Sequence, residues 1–289
     1  MSEIVVVGSI NVDLVFACKQ RPKAGETVLG EKFLTIPGGK GANQAVAAAK
    51  LGGNVSIIGC VGDDIYGKKM IENFAVNGVD TSMIEVLDIS TGVAGIMVDQ
   101  EDNSIVVVPG ANKLLNIKKI DGHIDAIKNA KIVILQLEIP MEVIEYVVDI
   151  CSTNHITTIL NPAPAKKLAE ELIKKVSYIT PNEHEAIEIF GDDDLDDLLQ
   201  LYPNKLIITQ GEQGVVFHDG EKKQHIPSLK VEVVDTTGAG DTFNGALGRY
   251  LLAGEPLFKA IEYANKAAAI SITKYGAQGG MPTREEVER

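Results

Sequence analysis

Asp241 stands directly behind three small residues, Gly238, Ala239 and Gly240, in the stretch Val233-Val-Asp-Thr-Thr-Gly-Ala-Gly-Asp-Thr-Phe-Asn-Gly245. Phe243, Ala246, Leu247, Tyr250 and Leu251 then recur at the spacing of one helical face, so the spacing predicts a helix over 241–252. The amides of Gly238, Ala239 and Gly240 are expected to lie unpaired at its N-terminus, with no side chain larger than a methyl to keep an anion away. A carboxylate repels the charge those amides attract, so Asp241 suits plain anion binding poorly. It suits the removal of a proton from a hydroxyl that attacks a phosphoryl group held by the amides. The helix dipole predicts a low pKa for it. Asp241 also reads as an N-terminal Asp complementing that dipole, and the residues alone leave both roles open.

Other polar groups fall at the ends of apolar runs. Asn11 and Asp13, two apart in extended chain, point to one side and could grip a vicinal diol; Asx-turn chemistry fits them equally well. Pro37-Gly-Gly-Lys-Gly-Ala-Asn-Gln44 opens a second helix. There the amide of Gly39, with Lys40 and Asn43, adds donors at a point where paired glycines allow close approach. Glu138 ends the buried run 132–138 with a charge that needs a partner, a sugar hydroxyl or a helix N-terminus. Asn182-Glu-His-Glu185 follows another strand and has the spacing of a capping box.

The stretch Asp235-Thr-Thr-Gly-Ala-Gly-Asp-Thr-Phe243 resembles the C-terminal signature of the ribokinase-like (PfkB) carbohydrate kinases. Asn11-Val-Asp13 followed by Pro37–Gln44 resembles their N-terminal signature. Both occur in order, and the likeness covers essentially the whole chain. It implies an ATP-dependent sugar kinase that phosphorylates the O5 hydroxyl of D-ribose. Asn11, Asp13, Gly39, Lys40, Asn43 and Glu138 would hold the sugar, Asp241 would take its proton, and Gly238–Gly240 would stabilise the transferring phosphoryl group. Asn182 and Glu185 match the element that orders Mg²⁺ through water around the phosphates. Thr209, Gln210, Gly211, Glu212, Gln213 and Gly214 would meet the phosphates or ribose of the nucleotide, together with Gly240, and Asn265 would lie near adenine. Asp235, Thr237, Ser271, Lys274, Gly276 and Gly280 match a K⁺ site, several through carbonyls. Gly280 departs from the Ser common in relatives, so one side-chain oxygen is expected to be missing. Kinases of 2-deoxyribose, fructose or nucleosides are the rivals within the family. A non-catalytic sugar sensor on the same fold is the rival outside it, although a pure binder needs neither Asp241 nor the Gly-Ala-Gly run.

The elements that position these residues are legible as alternation. Apolar runs at 4–7, 55–58, 132–135, 157–160, 177–180 and 206–209 alternate with helical patterns at 41–51, 66–77, 141–151, 166–176 and 183–190, and two last helices cover 241–252 and 256–274. This order predicts an α/β protein with one open, mostly parallel sheet covered by helices on both faces. Residues 12–36 and 91–110 break the rhythm and read as strands, the second with a hairpin turn at 100–103. They are expected to form a small β-sheet lid over the carboxyl ends of the main strands, within a single 1–289 kinase domain, and to mediate a homodimer. Residues 211–227 read as a loop and a hairpin turning at Asp219-Gly220.

Composition narrows the classes. A net charge of −13 argues against nucleic acid or an anionic membrane surface as partner. Aromatics at 5% with no Trp offer little to stack on a nucleoside base. Cys18, Cys60 and Cys151 lack CxxC spacing, and the chain begins without a basic leader, so the cytoplasm is expected. Gly62-Asp-Asp-Ile-Tyr-Gly-Lys-Lys69 is not a P-loop, since its last Lys cannot ligand Mg²⁺. The run Asp192–Asp197 reads as the exposed start of a helix, and the five His lack metal-ligand spacing.

Overall fold

The computed structural model describes residues 2–99, 103–191 and 194–289. In chain order its strands are β1 (Ile4–Val7), β2 (Asn11–Cys18), β3 (Gly30–Gly38), β4 (Val55–Gly62), β5 (Val79–Asp80), β6 (Ile84–Leu87) and β7 (Gly92–Val98). There follow β8 (Asn103–Val108), β9 (Ile132–Gln136), β10 (Thr157–Asn161), β11 (Tyr178–Ile179), β12 (Ile207–Thr209), β13 (Val215–His218) and β14 (Lys223–Ile226). The main sheet runs β11-β10-β9-β1-β4-β5, with β6 also paired to β4, and its ladders are parallel.

Strands with helices on both faces must be apolar at every position, and β1 is: Ile4, Val5, Val6 and Val7 are all buried. Successive side chains point to opposite faces, so Ile4 and Val6 join one core and Val5 and Val7 the other. The first core lies under the helices Lys40–Lys50, Ala239–Leu252 and Leu257–Ser271, and the second under the helix Met141–Thr153. Because the strands are parallel, their carboxyl ends open at one edge of the sheet, which is where every predicted sugar-facing residue lies.

The breaks in rhythm make a separate four-stranded sheet, β3-β2-β7-β8. β2 pairs β3 antiparallel from Asn11↔Gly38, and β7 pairs β8 antiparallel, as the hairpin reading requires. The turn itself, residues 100–102, lies outside the described residues, as do Asp192 and Asp193 of the acidic run. β2 and β7 are joined in parallel, a pairing that no local pattern announces.

Two expectations need correction. β12 is not a fully paired strand of the main sheet. It touches it only through single bridges, Ile179↔Leu206 and Asn182↔Thr209, and forms its ladder with β13 in an antiparallel three-stranded sheet, β12-β13-β14. The helix expected over 166–176 covers only Glu170–Lys175, because the preceding residues are drawn onto the end of β9, where Lys166 Nζ donates to the Leu137 carbonyl at 3.2 Å. The short strands β5 and β6 have too few residues to show a period. Among the described residues no helix is long and apolar enough to cross a membrane.

Candidate active site

Two glycine-opened helices meet at the open end of the sheet. Lys40–Lys50 starts from Gly39, which sits at φ +91°, a conformation an L side chain rarely adopts, with its backbone packed on the amide of Asn11. Ala239–Leu252 starts from Gly238. They cross closely because Gly245 has no side chain: a Cβ there would lie 2.6 Å from the Gln44 carbonyl and 2.7 Å from Ala47 Cβ. That contact brings Asn43 and Gln44 to Asp241, 197 residues or more along the chain.

Asp241 is buried, 7% exposed, and both its oxygens are held. Asn43 Nδ2–H donates to Oδ2 at 2.9 Å, and Gln44 Nε2–H donates to Oδ1 at 3.0 Å. Here the expected low pKa is overturned. Burial raises the Asp241 carboxyl above its ordinary value, opposed by Lys40 and by the hydrogen bonds from Asn43 and Gln44, and helped by Glu138. A dipole acting from one helix end is weaker than the removal of a whole carboxylate from water.

Asp13 is the other carboxyl at the site, and its electrostatics are different. Among the described residues no protein donor bonds it, and burial, then Glu138 and Asp241, raise it to about 7 against the pull of Lys40. Lys40 itself is held above its usual range: burial works against its charge, but Asp241, Glu138, Glu185 and Asp13 surround and outweigh that cost. Asn11 accepts from Asn112 Nδ2–H at 2.7 Å, and Asn112 also takes the Ile10 amide at 2.8 Å, so the start of β2 is pinned from outside. Glu138 finds partners within the protein: Oε2 accepts from Ser9 Oγ–H at 2.5 Å and from the Lys40 amide at 3.0 Å. Its helix N-terminal reading therefore holds for one oxygen, and Oε1 makes no hydrogen bond among the described residues.

At the bare helix start, the amides of Gly238 and Gly240 make no hydrogen bond among the described residues. Ala239 departs from expectation, since its N–H donates to the Thr236 carbonyl at 3.3 Å. The space in front of Gly240 is open: a Cβ there would meet nothing within 4 Å. Beside it, Asn182 and Glu185 form the predicted capping box, with Glu185 N–H to Asn182 Oδ1 at 2.8 Å and Asn182 N–H to Glu185 Oε2 at 2.9 Å. Burial raises the Glu185 carboxyl, although the Asn182 amide and Lys40 work against this.

The strand-end segment 209–214 lies on the exposed side. Gln210 Nε2–H donates to Glu183 Oε1 at 2.9 Å, Thr209 Oγ1–H reaches the Pro181 carbonyl at 3.5 Å, and Gly211–Gln213 form a single 3₁₀ turn closed by Gly214. Asn265 faces a cavity of about 410 Å³ lined by Ile226, Pro227, Leu229, Tyr263 and Lys266. Its amide is spent on the chain, donating to the carbonyls of Pro227 at 2.9 Å and Ile226 at 3.3 Å, so it shapes the wall of that cavity.

The predicted cation positions also converge. Asp235 Oδ1 accepts from the Thr237 amide and Oδ2 from the Gly276 amide, each at 2.9 Å; burial opposes ionisation, yet these bonds hold the carboxyl below its ordinary pKa. The Ser271 hydroxyl donates to the Ala268 carbonyl at 2.8 Å, and Lys274 turns to Glu286 at 3.8 Å. At Gly280 the missing side-chain oxygen has a steric reason: a Cβ would lie 1.7 Å from the Ser271 carbonyl, which occupies that space.

Sequence reasoning missed the residues behind Asp241. Gln136 Nε2–H donates to Gln44 Oε1 at 2.7 Å, Gln44 also donates to Asn161 Oδ1 at 3.1 Å, and Gln278 Nε2–H donates to Asn43 Oδ1 at 2.9 Å. The available signal was a glutamine inside the apolar run of β9 and another at a small-residue helix face, each of which needs a buried partner.

Carboxyl and amide side chains gathered around one buried acid, with bare amides at the start of its helix, fit a kinase acting on a polyhydroxylated acceptor. A family model for pfkB family carbohydrate kinases matches residues 1–284, and the chain belongs to that family. It is 50% identical over 289 residues to a ribokinase of Bacillus subtilis, covering 100% of this chain and 99% of the relative. The structure of a ribokinase from Thermotoga maritima superposes with a TM-score of 0.91 at 37% identity, over 100% of this chain and 98% of that one. Arabidopsis thaliana ribokinase, complexed with ribose and ATP, gives 0.92 at 30% identity over 99% and 97%. The chain is thus an ATP-dependent sugar phosphotransferase.

Proposed function

We propose that the chain transfers the γ-phosphoryl group of ATP to the O5 hydroxyl of D-ribose. The observation that carries this is Asp13, a half-buried carboxyl with no protein donor among the described residues, raised toward neutrality by burial, Glu138 and Asp241 and opposed by nearby Lys40. A group in that state is completed by ligand hydroxyls, which donate to it and favour its charge. Named relatives acting on ribose support the choice of sugar.

Ribose then lies between the carboxyl ends of the main strands and the four-stranded sheet, which acts as a lid. Asn11 and Asp13 hold one pair of hydroxyls, while the Gly39 amide, Lys40, Asn43 and the open oxygen of Glu138 direct the rest. Asp241 receives the proton of the primary hydroxyl. Its raised pKa makes it a better acceptor, while Asn43, Gln44 and Lys40 favour its ionised state, which must exist before it can accept. The amides of Gly238 and Gly240 hold the charge on the transferring group.

Among the described residues no three His, Cys, Asp or Glu converge as a metal cage. The donor set therefore fits a Mg²⁺ held mainly by phosphates, with Asn182 and Glu185 reaching it through water, where it would neutralise phosphate charge. Asp235, held below its ordinary pKa by hydrogen bonds from the Thr237 and Gly276 amides against the cost of burial, fits a negative group beside a K⁺ that would supply positive charge next to the bare amides. A thermal-shift titration of K⁺ against tetramethylammonium tests that assignment, and equal stabilisation by both removes it. The exposed apolar residues of β8, Val106, Val107 and Val108, with Phe16 and Phe33 in tilted ring contact at 5.1 Å, support the lid sheet as the face of a homodimer. Light scattering of Val106→Glu is expected to show monomers; an unchanged mass overturns this face. The three cysteines are free and buried, which fits a cytoplasmic protein.

The reading is tested by ADP release with ATP and a panel of pentoses, hexoses and nucleosides. Turnover with ribose well above the others supports it. Turnover greater with 2-deoxyribose moves the substrate, and ribose binding without ADP release makes the chain a sensor.

A further inference from the structure

Gln278 touches neither the reacting end of the pocket nor the anion site, yet it lies on a directed hydrogen-bond chain that ends at Asp241. Asn73 Nδ2–H donates to Gln278 Oε1 at 2.8 Å, Gln278 Nε2–H donates to Asn43 Oδ1 at 2.9 Å, and Asn43 Nδ2–H donates to Asp241 Oδ2 at 2.9 Å. Gln278 is 7% exposed, and its own carbonyl is held by Lys50 Nζ at 2.9 Å. The Asn73 bond decides which end of the Gln278 amide is the donor, because an oxygen facing Asn73 leaves the NH₂ for Asn43. That bond in turn decides which end of the Asn43 amide faces the carboxylate.

A side-chain amide has two ends of nearly equal shape and opposite polarity. Asn43 turned over would place its oxygen against the Asp241 carboxylate, replacing an attraction by a repulsion. Burial leaves no water to make good the loss. We propose that Gln278 is a positioning residue for phosphoryl transfer: it locks the Asn43 amide in the orientation that donates to Asp241, and so ties the segment after Gly276 to the base. This rests on Asp241 as the proton acceptor, as argued above.

The other oxygen of Asp241 is served by a parallel chain, Gln136 to Gln44 to Asp241. The charged groups that act on Asp241 are Lys40 and Glu138, with Asp13 nearby; none of them belongs to the segment that carries Gln278, so Gln278→Met leaves that charge set intact, whereas Gln278→Glu adds a carboxylate to it and the acid limb is read on the Met variant.

The experiment compares wild type with Gln278→Met, which keeps volume and cannot hydrogen-bond, and Gln278→Glu, which still accepts from Asn73 but presents an oxygen to Asn43. Ribose binding by calorimetry without nucleotide reports folding. Expected are kcat losses of about 10-fold for Met and more for Glu, KM for ribose changed by less than about 3-fold, and an acid limb of the kcat pH profile moved to higher pH. Adding either Gln278 change to Asn43→Ala should cost little more in kcat, since Gln278 acts through Asn43. Folded variants with an unmoved acid limb, or losses that add to those of Asn43→Ala, overturn the proposal. If neither variant folds, Asn73→Leu, one step further back, must move the limb in the same direction, and an unmoved limb there overturns it too. Asp241→Asn run alongside separates the failures: near wild-type turnover of that variant removes the base itself, whereas its inactivity with an unmoved Gln278 profile removes only the positioning role.

Discussion

The acceptor half and the donor half of the proposed site are built to different standards. Behind the sugar pocket lies a buried polar lattice in which Asn43, Gln44, Gln136, Asn161 and Gln278 are bonded to one another or to Asp241. On the phosphate side, Gly240 faces open space, residues 209–214 are a surface turn, and the cavity at Asn265 is bounded by loop carbonyls. Proton removal needs one atom fixed against a hydroxyl, so the acceptor half is pre-organised by protein. Polyphosphate brings its own charge, counter-ions and hydrogen-bond acceptors, so the donor half needs only amides and room. Substitutions in the first half should therefore disturb chemistry or the free protein, and those in the second should disturb nucleotide use alone.

The largest expected effect is at the floor of the pocket. Asp241→Asn should lower turnover on the order of 10²–10⁴-fold while ribose binding measured by calorimetry survives. Turnover near wild type would break the assignment of the two halves at its centre.

Asp13→Asn should weaken ribose binding by roughly 10- to 100-fold, because a neutral amide replaces a carboxylate that accepts the sugar's hydroxyls. Its pH behaviour follows from burial, which with Glu138 and Asp241 lifts its carboxyl from the ordinary 3.8 to about 7 in the folded protein. The free folded protein holds this proton more tightly than the unfolded chain, so this group lowers stability as pH rises from about 4 to about 7. The melting temperature of Asp13→Asn without ligand should exceed wild type at pH 8, and the gain should fade toward pH 4. Ribose affinity of the wild type should rise between about pH 6 and pH 8, with proton release seen in buffers of different ionisation enthalpy. A flat profile in the wild type would sink this role.

The mildest effect belongs to the donor half. Gly240→Ala meets no protein atom, and Ala is the better helix former, so the melting temperature should hold or rise slightly. The new methyl projects into the anion space, and kcat/KM for ATP should fall about 10-fold with KM for ribose unchanged. Equal damage to both constants would mean that the halves are not separable.

Much of this was legible in the residues. The strands buried on both faces show as unbroken apolar runs because no position of theirs meets water, and the helix Ala239–Leu252 shows because its large apolar side chains recur at helical spacing. The capping box at Asn182 and Glu185 is local chemistry and was found where its spacing put it. The parallel join of β2 to β7 and the antiparallel ladder of β12 with β13 were not legible, since pairing joins residues whose patterns are silent about partners. The pKa of Asp241 was misjudged for the same reason. Its helix dipole is written in the next ten residues, but its burial is produced by the other glycine-opened helix.

What the sequence by itself determined is every feature that depends on near neighbours: periodicity, caps, the bare helix starts, and the residue types able to bind a diol or take a proton. The tertiary structure alone decided which amide faces which oxygen. Gly245 admits the helix carrying Asn43 and Gln44 to the helix carrying Asp241, and a hydrogen bond has no direction until both of its ends are in place.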